Sequence, residues 1–529
     1  MEPRGAIAEP LPGDGFVLWT STQIPHIVKR TLAPCVGIPE HRLRVVAPVV
    51  GGGFGVKLNV YAEEALVLAL ARRLGRPVKW IEQRSEAAQA TAHARAQRQR
   101  VDLAATSDGK VLGIRVSVLA SLGAYLQLET PGIPIIGRLL FGGAYAFEGY
   151  SYECTGVFTN QTPTGAYRGA GRPEAIYAIE RMMDVLARAV GRDPVEIRRM
   201  NFLPEGEAVE NAMGIPYDST AFDVPLSRAM EMLDYEGLRT EQERRRIAGT
   251  RKQIGVGVCC YVDSAGLGPS SVLARTLYEQ GGWEYGSVRV LASGTVEVLT
   301  GTSAQGQWHG TAFAQLAADA LGVDLTDVRV LHGDTALVPL GTGTFSSRSL
   351  IVGGTAIVQA AERVIDKARG IAAHLLEVDA VDVDFSHGRF SVAGAPESEQ
   401  ALMLRDVARA AHLAWDLPDG IEPGLEASAV FHPTDWTYPF GTHVAVVEVD
   451  MDTGEARVIR YVAVDDCGNV VNPTIVEGQI HGGVAQGIGQ ALFEEIRYSL
   501  EGQLDTGSFL SYLLPSAAEL PTFELDRTV

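Results

Sequence analysis

Apolar and polar positions along the chain fall into strand, loop and helix in a fixed order, and that order occurs twice. Residues 16–20, a short apolar run, read as a strand and open into Ser21-Thr-Gln-Ile-Pro-His26. A helix of about ten residues then ends near Gly37. A second strand at 43–47 leads to Val49-Val-Gly-Gly-Gly-Phe-Gly-Val-Lys57. A helix from Tyr61 to Leu74 follows, with Gly75 as its left-handed stop and Pro77 beyond. Later, strand 296–300 precedes Gly301-Thr-Ser-Ala-Gln-Gly-Gln-Trp-His309, a helix to Leu321, and strand 328–331. Gly333-Asp-Thr and Gly341-Thr-Gly-Thr-Phe-Ser-Ser-Arg-Ser349 come next, with Gly353 and Gly354 after them.

Each of these blocks is followed by a hairpin signal, Ser107-Asp-Gly-Lys110 in the first and Asp452-Thr-Gly-Glu455 in the second. The first hairpin continues through 114–119 to Gln161-Thr-Pro-Thr-Gly-Ala-Tyr-Arg-Gly-Ala-Gly-Arg-Pro173. The second continues through 458–464 to Asn472-Pro-Thr and Gly478-Gln-Ile-His-Gly-Gly-Val-Ala-Gln486. Repetition at this scale reads as an internal duplication of α+β domains. Ile176, Ile179, Met183, Leu186 and Val190 then recur at helical spacing as a core stripe ending at Gly191. Asp193-Pro-Val-Glu196 reads as a capping box. The charged stretch 221–252 predicts a solvated helix joining domains 1–220 and 253–529, and the acidic stretch 379–427 predicts a peripheral insert.

Composition narrows the function. A chain of 529 residues, 46% hydrophobic and 21% charged, is an ordinary globular protein with room for several domains. Its net charge of −19 argues against nucleic acid or an anionic membrane as partner. The longest apolar runs, such as 65–71, are too short to span a bilayer. Cys35, Cys154, Cys259, Cys260 and Cys467 make no CxxC pair, so a reduced cytoplasmic chain without a cysteine-held metal is expected.

The candidate chemistry sits in the glycine-rich loops. Gly51-Gly-Gly-Phe-Gly55 lacks the dinucleotide spacing, and no GxxxxGK[ST], GxSxG or HExxH occurs. Arg168 and Arg172, among Gly165, Ala166, Gly169 and Gly171, read either as solvated arginines in a tight turn or as an anion-binding loop at a helix start. His26, His309 and His481 form no zinc spacing. Gln23, Gln305, Gln307, Gln479 and Gln486 all read as lying in loops that precede helices. A side-chain amide offers an acceptor and two donors together. Several such amides beside helix N-termini predict a large polar ligand carrying phosphate.

In their order, Ser21-Thr-Gln23, the 51–55 loop, Ala166-Tyr-Arg-Gly-Ala-Gly-Arg172, the 301–307 loop, Ser346-Ser-Arg-Ser349 and Val464-Asp-Asp-Cys-Gly468 through Gly489 resemble a known family. It is the molybdenum-binding large subunit of the xanthine oxidase family of molybdenum hydroxylases, in the branch nearest aerobic carbon monoxide dehydrogenase. The resemblance implies an elongated α+β fold of two duplicated molybdopterin-binding domains with mixed sheets and flanking helices. It implies molybdopterin cytosine dinucleotide lying between these domains, with the metal held by the pterin dithiolene. Gln23, Phe54 and Arg168 would lie around the metal. Gly52, Gly53, Gly55, Gly169, Gln305, Gly306, Gln307, Thr344, Ser346, Ser347, Ser349 and Gln486 would hold the cofactor.

The implied activity is oxidative hydroxylation with water as oxygen source, electrons passing to an iron–sulfur small subunit and an FAD-binding medium subunit in a dimer of heterotrimers. Gly169 stands where the carbon monoxide-oxidising form carries its copper cysteine, and Leu58 where xanthine-oxidising members carry a glutamate. An aldehyde or an aromatic N-heterocycle is therefore the expected substrate, ahead of carbon monoxide. Trp308 stands where many relatives have glycine, without a physical account. The family's base glutamate, in a Gly-x-Gly-Glu segment, does not occur before Val529, and Glu494 and Glu495 do not match it. An N-terminal family domain is also expected ahead of Met1. A fragment or a piece of a split subunit is the expectation these two features raise, and a non-catalytic cofactor-binding subunit is the competing reading.

Overall fold

The computed structural model describes residues 1–274, 280–394 and 401–529. It divides into two compact units that interleave along the chain. The first is Met1–Glu82 with Gly266–Trp436, and the second is Gln83–Ala265 with Thr437–Val529.

Within the first unit the same sheet is built twice. One runs in the order Leu43–Val46, Gly15–Thr20, Gly5–Leu11, Val78–Ile81. The other runs Val328–Leu331, Val296–Thr300, Glu284–Val290, Leu425–Phe431. In both, the first pair is parallel and the rest antiparallel. A parallel neighbour needs a crossover, and helices Pro25–Val36 and His309–Leu321 supply it. The sheets are linked where Ala47 N–H donates to the Gly333 carbonyl at 2.7 Å and Arg44 Nε donates to Asp334 at 2.9 Å. Helix Thr355–Leu376 buries Ile357, Ala360, Ala361, Val364, Ala368 and Ile371, a stripe at three- and four-residue spacing.

Within the second unit, the Gln97–Ala105/Val111–Gly123 hairpin gains Gly149–Phe158 as a parallel third strand. The Phe440–Asp450/Ala456–Asp466 hairpin likewise gains the parallel strand Phe523–Arg527, and Lys252–Val262 completes its sheet. Helix Arg172–Val190 buries Ala175, Ile179, Met183 and Leu186 as the periodicity predicts. Left-handed glycines 37, 75 and 191 stop their helices, and the Asp193 carboxylate caps Val195 N–H at 2.7 Å.

Two expectations change. The 221–252 stretch is two helices, Asp223–Leu233 and Tyr235–Ala248, which meet at left-handed Asp234. The second is solvated, but Leu226, Ala229, Met230 and Leu233 of the first pack into the core with Val444 and Val462. The acidic 379–427 stretch is not peripheral either, although its residues 395–400 lie outside the described residues. Val383, Phe390, Leu404, Val407, Ala408 and Ala411 join the main core of the first unit. Surface acids marked the solvent edge of this stretch and masked a helical apolar stripe beneath it.

One buried ion pair holds the 341–349 loop. Arg348 Nη1 donates to Glu284 Oε2 at 2.6 Å, and both side chains are fully buried. The same guanidinium bonds the carbonyls of Gly343 at 2.6 Å and Trp283 at 2.5 Å. Glu284 also accepts from the N–H groups of Thr342 at 3.2 Å and Gly343 at 3.1 Å. Removing one partner of such a pair strands a charge out of water. Arg348→Ala is expected to cost about 3–5 kcal/mol, and Arg348→Lys to recover only part of that because it has no fork. Calorimetry on the three proteins checks this; equal midpoints would show that the pair is not the anchor.

Candidate functional site

The first unit carries four of the predicted loops, and Gln23 ties three together. Its Nε2 donates to the Thr344 carbonyl at 2.8 Å, and its Oε1 accepts from Gly55 N–H at 2.9 Å. Gln23 is itself buried. A Cβ at Gly53 would lie 2.7 Å from the Gln23 side chain, so the 51–55 loop needs glycine to pass that close. Gly52, Phe54 and Gly55 all take positive φ, and the Phe54 ring is exposed. A left-handed phenylalanine is an uncommon, strained state.

The 301–309 and 341–349 loops are joined by hydroxyls. Thr344 Oγ1 accepts from Ser303 N–H at 2.9 Å and from the Ser349 hydroxyl at 3.0 Å. Gln307 Oε1 accepts from Gln305 N–H at 2.5 Å, while Gln307 Nε2 donates to Gln305 Oε1 at 3.1 Å. Gly306 lies at the tip of this amide pair with φ +101° and open space where a Cβ would be. Ser346 and Ser347 are both left-handed. Trp308, also left-handed and exposed, precedes the helix His309–Leu321.

The second unit carries the arginine loop. Arg168 Nη1 donates to the Gly482 carbonyl at 2.8 Å and Nη2 to the Gln479 carbonyl at 3.3 Å. Burial holds this guanidinium below its usual pKa range. Gly169, Ala170 and Gly171 form a left-handed run at φ +91°, +42° and +90°. Arg172 is buried and structural: its Nε lies 2.8 Å from Asp263, and its Nη2 donates to the Ser264 carbonyl at 3.0 Å.

Gln479 and Gln486 do not precede a helix. They lie within one, Pro473–Leu492, capped by Asn472. The Arg168 guanidinium lies along the glycines of this helix: Cβ atoms at Gly482 and Gly483 would come 3.6 Å from it, an ordinary contact distance. Gly478 and Gly487 face open space. Gln486 Nε2 donates to Gln490 one turn on, at 3.1 Å.

The predicted histidines separate. His26 Nε2 lies 2.8 Å from the Val338 carbonyl, His309 is buried with its pKa lowered by desolvation to about 3, and His481 lies against Phe523. Among the described residues no three His, Cys, Asp or Glu side chains converge on a metal position. Sequence reasoning missed Glu284, Arg95 and Glu129. The partners of Glu284 and Arg95 are distant in sequence, and Glu129 is marked only by its burial, so no local period reveals them; a lone acid on an inward strand position was the available signal for Glu284. Glu129, buried ahead of helix Gly132–Arg138, has its carboxyl pushed up to about 7 by desolvation.

The chain is similar to known proteins along its length. Family models described as molybdopterin cofactor-binding domains match residues 1–202 and 228–521. The chain is 38% identical, over its whole length, to the carbon monoxide dehydrogenase large chain of Hydrogenophaga pseudoflava, covering 66% of that protein. It is 36% identical over 99% of its length to the nicotine 6-hydroxylase large subunit of Paenarthrobacter nicotinovorans, covering 64% of it. The chain thus spans just under two thirds of these curated relatives. The solved quinoline 2-oxidoreductase from Pseudomonas putida 86 superposes with a TM-score of 0.94 at 37% identity, over all of this chain and 67% of that one.

Two outcomes follow from the geometry. A Cβ at Gly169 would sit 2.4 Å from the Pro173 ring, so Gly169→Ala and Gly169→Cys are expected to lower stability by about 1–3 kcal/mol. Gly487→Ala, helical with open space, should instead gain roughly 0.5–1 kcal/mol. Melting of the three variants checks the contrast, and equal losses at both sites would refute it. For Glu129 the folded pKa lies above the unfolded one. The stability it contributes is therefore full below about pH 4.5 and is lost as pH rises through about 7. The window is worth roughly 3 kcal/mol. The melting point of Glu129→Gln relative to the parent should rise from pH 5 to pH 8; a constant difference would rule the assignment out.

Proposed function

The chain belongs to the molybdopterin cofactor-binding family, in the carbon monoxide dehydrogenase-like branch of the xanthine oxidase family, and on that premise we propose that it is the large subunit of a molybdenum hydroxylase. The observation that carries this reading is the donor set of the first unit. The Ser303 hydroxyl is buried without a hydrogen-bond partner among the described residues. Around it stand the Gln305–Gln307 amides, the Thr344 and Ser349 hydroxyls and the open tip at Gly306. This neutral set, with glycine where a ligand would approach, fits the polar heterocycle and phosphates of molybdopterin cytosine dinucleotide. Gly52, Gly53, Gly55, Ser346, Ser347 and Gln486 are proposed to complete the contacts. When bound, the cofactor supplies a two-electron redox centre.

The chain's own residues then act by position. Gln23 sets the 51–55 loop, and Phe54 offers an exposed ring. Arg168, held by two helix carbonyls, places its charge where an anionic oxygen or substrate can use it. We propose an aldehyde or an aromatic N-heterocycle as substrate. Gly169 brings no thiol for copper, and its left-handed backbone beside Pro173 disfavours a cysteine there. Leu58, buried in the first unit, brings no carboxylate for a purine. Among the relatives, the nicotine 6-hydroxylase and quinoline 2-oxidoreductase are named for N-heterocycles. Electron transfer calls for partners, and we propose an iron–sulfur small subunit and an FAD-binding medium subunit in a cytoplasmic dimer of heterotrimers. No helix among the described residues is long and apolar enough to cross a membrane.

The test is purification with the partner subunits, assay of molybdenum and of CMP released by acid, and a screen of aldehydes, N-heterocycles and carbon monoxide. Stoichiometric molybdenum and CMP with turnover of one of the first two classes is expected. Arg168→Ala should lower kcat/KM about 10²–10³-fold. Absence of both metal and CMP overturns the cofactor reading. Turnover of carbon monoxide alone overturns the substrate class, and an unchanged kcat/KM in Arg168→Ala removes that residue from the chemistry.

A further inference from the structure

Arg95 lies behind the arginine loop, where neither the motif order nor the family match directs attention. Segment 91–97 runs beside 161–168: His93 N–H donates to the Pro163 carbonyl at 3.0 Å, and Gly165 N–H to the His93 carbonyl at 2.8 Å. The backbone of Arg95 is left-handed, at φ +64°. This is a costly state for a residue with a side chain, and it persists where surroundings impose it. The side chain, 16% exposed, forks onto the loop: Nη1 donates to the Tyr167 carbonyl at 3.0 Å and Nη2 to the Arg168 carbonyl. Its guanidinium also stands 5.4 Å from the centre of the Tyr167 ring and 3.6 Å from the buried Glu174 carboxylate. Neither Glu174 oxygen makes a hydrogen bond among the described residues.

We propose that Arg95 is the positioning residue of the Arg168 loop, with Glu174 as its counter-charge. Immediately after the clamped carbonyls come the three left-handed residues 169–171. Fixing two successive carbonyls sets the direction in which Arg168 leaves the chain, and so its bonds to Gly482 and Gln479. A fork of five donors can hold both carbonyls at once, whereas an ammonium group holds them only as a point charge. Arg95 and Glu174 also line a cavity of about 430 Å³ with Gln97, Pro173, Tyr177 and Gln490. Removing the Arg95 side chain enlarges this space beside Glu174, and a free guanidinium ion has the charge and the shape to fill it. The importance given to Arg168 rests on the proposed function; the clamp itself does not.

The experiment is hydrogen exchange on the full chain, without cofactor or substrate, for Arg95→Ala, Arg95→Lys and the milder Glu174→Gln. Arg95→Ala should raise exchange about tenfold or more in peptides covering 165–172, with other regions of the second unit unchanged. Millimolar guanidinium chloride should restore protection in Arg95→Ala and leave the parent unchanged. Arg95→Lys should fall between, and Glu174→Gln should show the same local rise at smaller size. Unchanged exchange in 165–172, or a rise across the whole second unit that guanidinium does not reverse, overturns the inference. If Arg95→Ala does not fold, Glu174→Gln decides alone: no local rise overturns it. Molybdenum retention through gel filtration, measured on the same variants, separates the two readings. Local loosening with full retention leaves the clamp standing and counts against the cofactor role of the loop.

Discussion

Every loop of the first unit that could face a ligand depends on one charge pair buried in that unit, Glu284 with Arg348. Glycine, serine and threonine loops have few apolar atoms to bury and much backbone freedom to lose. Left to themselves they would not hold Ser346 and Ser347 left-handed or keep Gln23 bonded to Thr344. The pair supplies the missing order. Glu284 gathers the N–H groups of Thr342 and Gly343, and Arg348 gathers the carbonyls of Trp283 and Gly343. Burying two charges is costly unless their remaining hydrogen-bonding capacity is met, and here much of it is met by the loop being ordered. A Cβ at Gly301 would fall 2.1 Å from Glu284, so the next loop packs directly on the anchor.

The duplication explains why so much of the fold is legible along the chain. Two sheets with the same order and the same single parallel pair need the same strand–helix–strand pattern, and the apolar periodicity shows it twice. The hairpins before 111 and 456 carry their turn glycines, Gly109 and Gly454, both at positive φ. Correspondence ends after the hairpins. In the first repeat the long helix Arg172–Val190 follows the parallel strand, while in the second the helix Pro473–Leu492 precedes it. Reading both glycine-rich stretches as loops missed this, because glycine is not confined to loops. Gly169 and Gly171 are needed for positive φ, whereas Gly482 and Gly483 stand in a regular helix beside the Arg168 guanidinium, where a Cβ would have ordinary contact room.

Gln23, Gln305, Gln307, Thr344 and Ser349 stand out in the sequence through their motifs, and the structure brings them together within one unit. Their division of labour was not legible. Gln23 spends its amide on two backbone groups, so much of its polarity serves the loop rather than a ligand. That distinction depends on which carbonyl lies within 3 Å, and nothing in a local pattern encodes it. The same holds for 379–427, where charge content hid Leu404, Val407, Ala408 and Ala411 from view.

One device links the anchor, the arginine loop and several element ends. Arg348 bonds the carbonyls of Gly282, Trp283 and Gly343, and Arg95 those of Tyr167 and Arg168. Arg460 holds Leu233 and Met232, and Arg72 holds Val36 and Gly37, each where a helix ends. Carbonyls at helix ends and in irregular loops have lost their regular partners, and a planar fork can satisfy two at once. An ammonium group lacks that geometry, and the chain carries 39 arginines against six lysines. In loops with little apolar surface of their own, order therefore comes from arginines reaching in from neighbouring segments. That is why changing an arginine outside any glycine motif can disturb the geometry within it.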